Sequence, residues 1–266
     1  MAKFVQALQP ETPRQLFHYT KPANIMNMLD TGSKSVCFLL KNNKDKNDDK
    51  ELKYGRELME EVRHYLHTIG QPSMLDQITD FDNSYSASFT EGALDGHMLG
   101  EYGTARFEFD LRRYNEEIFK CEYYTEEDLE ELKNVFIRDI QSMEGVTKES
   151  RLDLKQIKML KTITLEWDLK SKIASVKLKD KWESEGEWRI LQHKQDNDER
   201  YFIDPDGKER LKMFIPITFL RGVTLFYDEN SKNEMKEFCM RIKEHRNWNK
   251  LGRFNVKLMR IRSSKV

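Results

Sequence analysis

One short stretch, residues 182–190, constrains the fold of this chain more than any other. Its sequence, Trp-Glu-Ser-Glu-Gly-Glu-Trp-Arg-Ile, alternates acidic residues with other types and then turns apolar. Because successive side chains of a strand point to opposite faces, Glu185, Glu187 and Arg189 would share one face. Trp188 would anchor the other. Like charges on one face of a packed strand repel each other, so the pattern predicts a strand that carries a functional site.

Length and charge set the limits of the fold. The chain has 266 residues, and Lys+Arg 45 against Asp+Glu 46 leave a formal net charge of -1. This length is enough for one domain with a sizeable core, and we expect a single domain over residues 1–266. Nothing in the net charge favours nucleic acid or a membrane as a partner.

The C-terminus departs from this balance. From residue 241 onward the single acid is Glu244, and the basic residues are Arg241, Lys243, Arg246, Lys250, Arg253, Lys257, Arg260, Arg262 and Lys265. Such a terminus is either a solvated basic face or a surface that contacts the phosphates of nucleic acid.

The cysteines indicate a reducing compartment. Cys37, Cys121 and Cys239 are widely spaced and odd in number, which predicts free thiols rather than a disulfide framework. No apolar run approaches the roughly 20 residues needed to cross a bilayer, and the first residues lack the apolar segment that a secretory signal would contain. We expect a cytoplasmic protein with no membrane partner. His64 and His67 lie three apart without a further clustered ligand, so no metal site is predicted.

Hydrophobic periodicity predicts the order of secondary structure. Strands are expected near residues 15–20, 35–40, 84–90, 105–111, 188–194, 200–203, 211–217, 223–227 and 254–261. The middle of the chain is predicted to be helical, beginning with a capping-box-like pattern at Thr125 and ending in a short helix near Ile173 and Val176. We therefore predict an α+β fold with a mostly antiparallel sheet core and a helical insertion over about residues 125–182.

Several separated motifs occur in the order seen in one prokaryotic family. They are Leu16-Phe-His-Tyr-Thr20, Asn47-Asp48-x-x-Glu51, Ser88-Phe-Thr-Glu91, Met98-Leu-Gly-Glu-Tyr102, Phe107-Glu-Phe-Asp110 and Lys181-Trp-Glu-x-Glu-x-Glu-Trp-Arg189. Over most of its length the chain resembles the prokaryotic domain-of-unknown-function family 2971. That resemblance implies no activity.

A second, more distant resemblance does imply one. A His on the first strand, a Ser-x-Ser or Tyr on a middle strand and a Glu-x-Glu on a late strand are typical of ADP-ribosyltransferases. Here His18, the Tyr85-Ser86-Ala-Ser88 run and Glu185-x-Glu187 stand in that order. The chain therefore resembles the ADP-ribosyltransferase superfamily, which implies split sheets and NAD as the substrate.

The resemblance also implies a role for each charged residue. Cleavage of the nicotinamide-ribose bond builds positive charge on the ribose, and the Glu187 carboxylate would stabilise that charge in the transition state. Glu185 would orient or deprotonate an acceptor, or hold a ribose hydroxyl. Arg189 would pair with a carboxylate or with the diphosphate.

The uncharged residues would bind the nucleotide. His18 would hydrogen-bond the adenosine ribose, and either Tyr85 or Tyr19 would stack on nicotinamide. These roles require His18, the strand of Ser86 and Ser88, and Glu187 to line one concave pocket.

Plainer interpretations stay open for the same residues. His18 is equally well explained as a strand histidine bonded to backbone, and Ser86 and Ser88 as ordinary polar positions on a half-exposed strand. The glutamates would then form a solvated sheet face.

The leading functional hypothesis is an NAD-consuming ADP-ribosyltransferase or NAD glycohydrolase, with a toxin or phage-defence role expected by analogy. The acceptor of ADP-ribose, protein or nucleic acid, is not predicted. The alternatives are a catalytically silent nucleotide-binding module, or a nucleic-acid enzyme that uses the basic C-terminus.

Overall fold

The computed structural model describes residues 12–32, 34–42, 60–61, 64, 67–68, 84–91, 96–114, 118–125, 127–128, 130–131, 134, 138, 176–178, 186–248, 251 and 254–261. The strands are β1 (Leu16–Thr20), β2 (Ser35–Asn42), β3 (Ser84–Thr90), β4 (Ala105–Phe109), β5 (Ile118–Lys120), β6 (Glu122–Tyr124), β7 (Val176–Leu178), β8 (Glu187–His193), β9 (Tyr201–Ile203), β10 (Glu209–Pro216), β11 (Leu220–Tyr227) and β12 (Asn255–Arg260). The helices are α1 (Pro22–Leu29), α2 (Gly96–Tyr102) and α3 (Lys232–Trp248). The mixed α+β class and the mostly antiparallel sheet are as predicted.

The main sheet branches at β3. One edge of β3 pairs along its whole length with β8, which in turn pairs with β5. The opposite edge is shared, because β1 pairs at Thr90 while β2 pairs at Tyr85 and Ser86. From there a first arm continues through β1, β4, β11 and β12, and a second arm through β2, β10 and β9. The two arms separate along residues 87–89 of β3.

Period-two alternation places the core on one face of this sheet. In β2 and β10, Phe38 lies opposite Met213 and Leu40 opposite Leu211, and all four side chains are buried. In β8, Trp188 is 1% exposed and packs into the same core, as predicted from the alternation. Helices α1 and α3 contribute Ile25, Leu29, Met235 and Ile242 to this layer. Burying such aromatic and branched side chains is the main source of stability for the fold.

Two parts of the sheet differ from the sequence prediction. Residues 176–178 form strand β7, which pairs in parallel with β6, so the short helix predicted near Val176 is wrong there. Strands β5, β6 and β7 have three residues each, too short to show a period of two. Most of the helical insertion predicted over residues 125–182 lies outside the described residues.

The other parallel pair joins β11 to β12, with helix α3 as the connection between them. A helical crossover is the usual way to return a chain into the same sheet in the same direction. On the far side of the sheet, a smaller apolar cluster lies beneath α2 and contains Phe17, Tyr19, Met98, Leu99 and Phe226.

A single glycine lets α2 return closely to β1. Gly103 has a φ of +118°, and a Cβ at this position would lie 2.5 Å from the backbone oxygen of Thr20. Only glycine accepts both this backbone conformation and this contact. Among the described residues, no helix is long and apolar enough to span a membrane.

Candidate functional site

The fold brings the three sequence motifs onto neighbouring strands. His18 lies on β1, Ser88 on β3 and Glu187 on β8, and the strand order is β1–β3–β8. The side chain of His18 contacts the backbone oxygen of Ser88, and Ser88 is the cross-strand partner of Arg189. Ser88 lies 70 residues after His18, and Glu187 lies about 100 residues after Ser88, so the fold brings distant parts of the sequence into one region.

The register nevertheless places His18 and Glu187 on opposite faces of the sheet. Phe17 is the partner of Thr90, and Thr90 is the partner of Glu187, so these three side chains share one face. His18 is one residue further along β1 and points to the core face, where its ring packs against Phe38. The expectation that His18 and Glu187 line one pocket is therefore wrong for this structure.

His18 occupies the place where the two arms of the sheet separate. Its ring centroid lies 4.9 Å from that of Phe38 on β2 and 5.7 Å from that of Phe89 on β3. Its Nδ1 donates a hydrogen bond to the backbone oxygen of Ser88 at 3.0 Å. If the pairing of β1 with β3 continued past Thr90, a backbone N–H of β1 would make this hydrogen bond instead. The His18 side chain therefore replaces a strand partner at the branch point.

This hydrogen bond determines the tautomer of His18. A carbonyl oxygen only accepts, so Nδ1 carries the proton and Nε2 is the acceptor of the neutral ring. Burial lowers the pKa of His18 below its usual value, and the bond to Ser88 offsets part of that change. Neutral His18 therefore keeps a lone pair on Nε2, which makes no hydrogen bond among the described residues.

The two tyrosines predicted to stack on nicotinamide are both buried. Tyr85 is 0% exposed, faces the core and donates its hydroxyl to Glu209 Oε2 at 3.3 Å. Desolvation, the largest influence, raises the pKa of Tyr85 to about 12. Tyr19 lies on the opposite face in the cluster beneath α2, where Arg106 donates to its hydroxyl at 3.4 Å. In this arrangement neither ring presents a face to a ligand, which contradicts the predicted stacking role.

Glu187 belongs to a buried ionic cluster. Lys177 Nζ donates to Glu187 Oε2 at 2.5 Å, and Arg189 Nε donates to Glu187 Oε1 at 2.8 Å. The relative exposures of Lys177, Glu187 and Arg189 are 8%, 4% and 2%. We call these three residues the ionic triad. Because all three side chains are buried and paired with one another, Glu187 is not part of a solvated sheet face.

The small β6–β7 sheet contributes to the surroundings of the triad. Tyr123 on β6 is the partner of Lys177 on β7, and its ring lies 5.8 Å from Lys177 Nζ. The Tyr123 hydroxyl also accepts from the backbone N–H of Glu187 at 3.4 Å, and Cys121 donates its backbone N–H to the oxygen of Glu187. The alternation of β8 allowed the Glu187–Arg189 pair to be predicted. Nothing in the sequence pointed to Lys177, because its strand is only three residues long.

The pKa shifts follow from this burial and pairing. Desolvation alone would lower the pKa of Lys177, but the charge and hydrogen bond of Glu187 outweigh it and raise that pKa. Desolvation lowers the pKa of Arg189 to about 10, which leaves it charged at neutral pH. Burial raises the pKa of Tyr123. Both oxygens of the Glu187 carboxylate therefore face cations, and Arg189 is paired with a carboxylate rather than being available for a diphosphate.

The predicted site residues that remain are Glu185, Ser86 and Ser88. Glu185 lies outside the described residues. Ser86 and Ser88 share the face of the ionic triad, and Ser88 is exposed while Ser86 is buried. Glu91, which follows β3, accepts from Trp188 Nε1 at 3.2 Å and from Lys120 at 2.9 Å, and ties the end of β3 to β5 and β8.

Part of the basic C-terminus is engaged in contacts within the chain. Arg246 donates to the oxygen of Phe254 at 2.8 Å, and Arg260 forms an ion pair with Glu229 at 2.6 Å. The guanidinium of Arg241 lies 5.5 Å from the ring of Phe238. These residues stand on α3 and β12, and the last five residues lie outside those described.

Cys121 and Cys239 are buried and Cys37 is partly buried, and none of the three forms a disulfide bond. Within the part of the chain that the structure describes, no group of three or more His, Cys, Asp or Glu residues is placed to hold a metal ion. Comparison of the chain with protein-family models, curated proteins and solved structures finds no match.

Proposed function

We propose that this chain is a nucleotide-binding protein that takes NAD, or a nucleotide of the same class, at the branch point of the sheet beside His18. The observation that carries the proposal is the His18 imidazole seated between two arms of the sheet, with Nδ1–H bound to the oxygen of Ser88. The hydrogen bond to Ser88 and the contacts with Phe38 and Phe89 hold the ring of His18 in one orientation. A side chain held in this way is suited to binding a ligand.

The chemistry of the ring selects the part of the nucleotide that it would contact. A neutral imidazole with Nδ1 protonated offers one acceptor, Nε2, and a ribose hydroxyl is a matching donor. The ring carries no charge at neutral pH because burial lowers its pKa, so it would not attract the diphosphate. A hydrogen bond from an adenosine ribose hydroxyl to Nε2 is therefore the contact that we assign to His18.

The second candidate is the enzymatic one, in which the chain cleaves the nicotinamide-ribose bond of NAD as an ADP-ribosyltransferase or NAD glycohydrolase. The order β1–β3–β8, which places the three motifs side by side, favours it. Against it stands the ionic triad, because a carboxylate that already neutralises two cations adds little to a developing ribose cation. Catalysis by Glu187 would require Lys177 to withdraw from it. A toxin or phage-defence role belongs to this enzymatic version only.

One pair of experiments distinguishes the two versions. Calorimetric titration with NAD measures binding, and chromatography of released nicotinamide measures cleavage. The binding version predicts a measurable affinity with no nicotinamide release. The enzymatic version predicts release that falls on the order of a hundredfold in Glu187→Gln.

The decisive variant is His18→Asn. The Asn amide can still donate to the oxygen of Ser88, but it lacks a group at the position of Nε2, so the sheet is kept and the acceptor is removed. We expect NAD affinity to fall about tenfold, the typical effect of losing one well-placed hydrogen bond. Ser86→Ala is the matched control and should bind NAD like the wild type. Unchanged affinity in His18→Asn, or no binding of NAD by the wild type at millimolar concentration, would refute the proposal.

A further inference from the structure

The second arm of the sheet presents a basic and aromatic surface on the side away from the core. On β10, Arg210, Lys212 and Phe214 alternate with the buried residues Leu211, Met213 and Ile215. Their partners on β2 are Lys41, Leu39 and Cys37, and Phe202 on β9 is the partner of Arg210. We call the set Leu39, Lys41, Phe202, Arg210, Lys212 and Phe214 the basic-aromatic face.

Its cations are placed where they repel one another. Lys41 lies directly opposite Arg210, and like charges facing each other across a sheet are destabilising. Burial, then Arg210, then Lys208 lower the pKa of Lys41. Asp204 neutralises Arg210 at 2.9 Å, whereas Lys41, Lys208 and Lys212 have no carboxylate partner among the described residues. Because these cations repel one another in the free protein, a polyanion that neutralises them would bind favourably here.

Its apolar members are exposed between these cations. Phe214 is 41% exposed and Leu39 is 55% exposed, although both stand in the interior of regular strands. Phe202 is partly buried, and Lys212 Nζ lies 5.2 Å from the centroid of its ring. Strand and residue spacings place Phe202 and Phe214 roughly 14 Å apart, with Lys212 between them on the same face. Two rings at this separation, with a cation between them, suit two non-adjacent bases of an extended single strand with backbone phosphates between them.

We propose that the basic-aromatic face binds single-stranded nucleic acid, with bases stacked on Phe202 and Phe214 and phosphates held by Lys41 and Lys212 of the face and by the neighbouring Lys208, which precedes β10. Base-on-aromatic stacking needs a free base face, which a duplex does not offer. An acidic protein would pair with the lysines but would gain nothing from the aromatic rings that stand between them. The inference does not depend on the nucleotide site, and it concerns a surface other than the basic C-terminus.

The test uses the full chain and a fluorescein-labelled twelve-residue oligothymidylate, with binding read as fluorescence anisotropy at 50 and 200 mM salt. Three phosphate contacts give a slope of log affinity against log salt of about -2, so the fourfold rise in salt should weaken binding about twentyfold. Phe214→Ala and Phe202→Ala should each weaken binding about tenfold at constant slope. Lys212→Gln should weaken binding and make the slope about 0.7 shallower.

Matched controls come from helix α3. Met240 is 57% exposed and Lys243 is exposed, so Met240→Ala and Lys243→Gln remove an apolar group and a charge outside the face. Both controls should bind like the wild type, and far-ultraviolet circular dichroism should show that every variant is folded.

Any of four results would overturn the proposal. They are no binding at 50 mM salt, equal affinity for the matching duplex, unchanged affinity in the two phenylalanine variants, and a loss of affinity in Lys243→Gln equal to that in Lys212→Gln. Polyglutamate should compete far less well than unlabelled oligothymidylate, because it has charge without base faces. Equal competition would also count against the proposal.

Discussion

The ionic triad gives the sharpest test of how Glu187 is used. The substitution Glu187→Gln keeps the size of the side chain but removes the charge that both cations face. A pair of unit charges 2.8 Å apart attracts by about 6 kcal/mol at an effective dielectric constant of 20, and desolvation of the buried groups offsets much of that attraction. Removing one partner of a buried pair typically costs about 3–5 kcal/mol, because the remaining charge stays buried.

Urea unfolding followed by tryptophan fluorescence would measure this loss, with the buried Trp188 as an internal reporter. Domains of this kind are stable by roughly 5–15 kcal/mol, so the expected loss is a large fraction of the total. The transition midpoint should fall by about 1 M urea or more at an unchanged slope. Glu199 is exposed and serves as the matched control, since Glu199→Gln should change the free energy of unfolding by less than about 0.5 kcal/mol.

The same measurement separates a structural role from a catalytic one. If Glu187→Gln unfolds within about 0.5 kcal/mol of the wild type, the ionic triad does not hold this region together and our reasoning is refuted. Normal stability combined with a large loss of nicotinamide release would move the assignment back to the transferase. A strongly destabilised variant supports a structural role for the ionic triad. A carboxylate placed for catalysis usually lowers the stability of the free protein, so removing it would not be expected to destabilise the fold.

Three further predictions follow from single residues. Burial lowers the pKa of His18 in the folded chain below the value of about 6.5 that it has in the unfolded chain. Neutral His18 therefore contributes its full stability above about pH 6.5, and this contribution is lost as the pH falls toward the folded-state pKa. Denaturant titrations at pH 7.5 and 5.5 should therefore show a smaller acid loss in His18→Asn than in the wild type, and an equal loss would contradict this. Gly103→Ala should destabilise the fold by more than about 2 kcal/mol, because the added Cβ would lie 2.5 Å from the backbone oxygen of Thr20. A thermal unfolding midpoint equal to that of the wild type would contradict this close contact. Tyr85→Phe should cost about 1 kcal/mol through the lost bond to Glu209, and a phenolate absorbance from Tyr85 near pH 10 would disagree with its buried position.

Local alternation was enough to predict the principal strands and their inner faces. The strand at residues 84–90 was predicted at its observed bounds, and the inward direction of Trp188 followed from the period of two. The opposite direction of Glu187 and Arg189 followed from the same period. What alternation did not reveal was how deeply that second face is buried, because the covering strands β6 and β7 are too short to leave a periodic signal.

The relation between strands was decided by the tertiary structure alone. The sequence by itself determined that His18, Ser88 and Glu187 lie on strands, and the fold places these strands side by side. Which side chains share a face depends on register, and the register here aligns Phe17, rather than His18, with Thr90 and Glu187. A slip of one residue would exchange the faces of an entire strand, and no local pattern within one strand specifies its alignment with another far away in the chain. The physical reason is that register is set by the packing of the whole core, which exists only once the chain has folded.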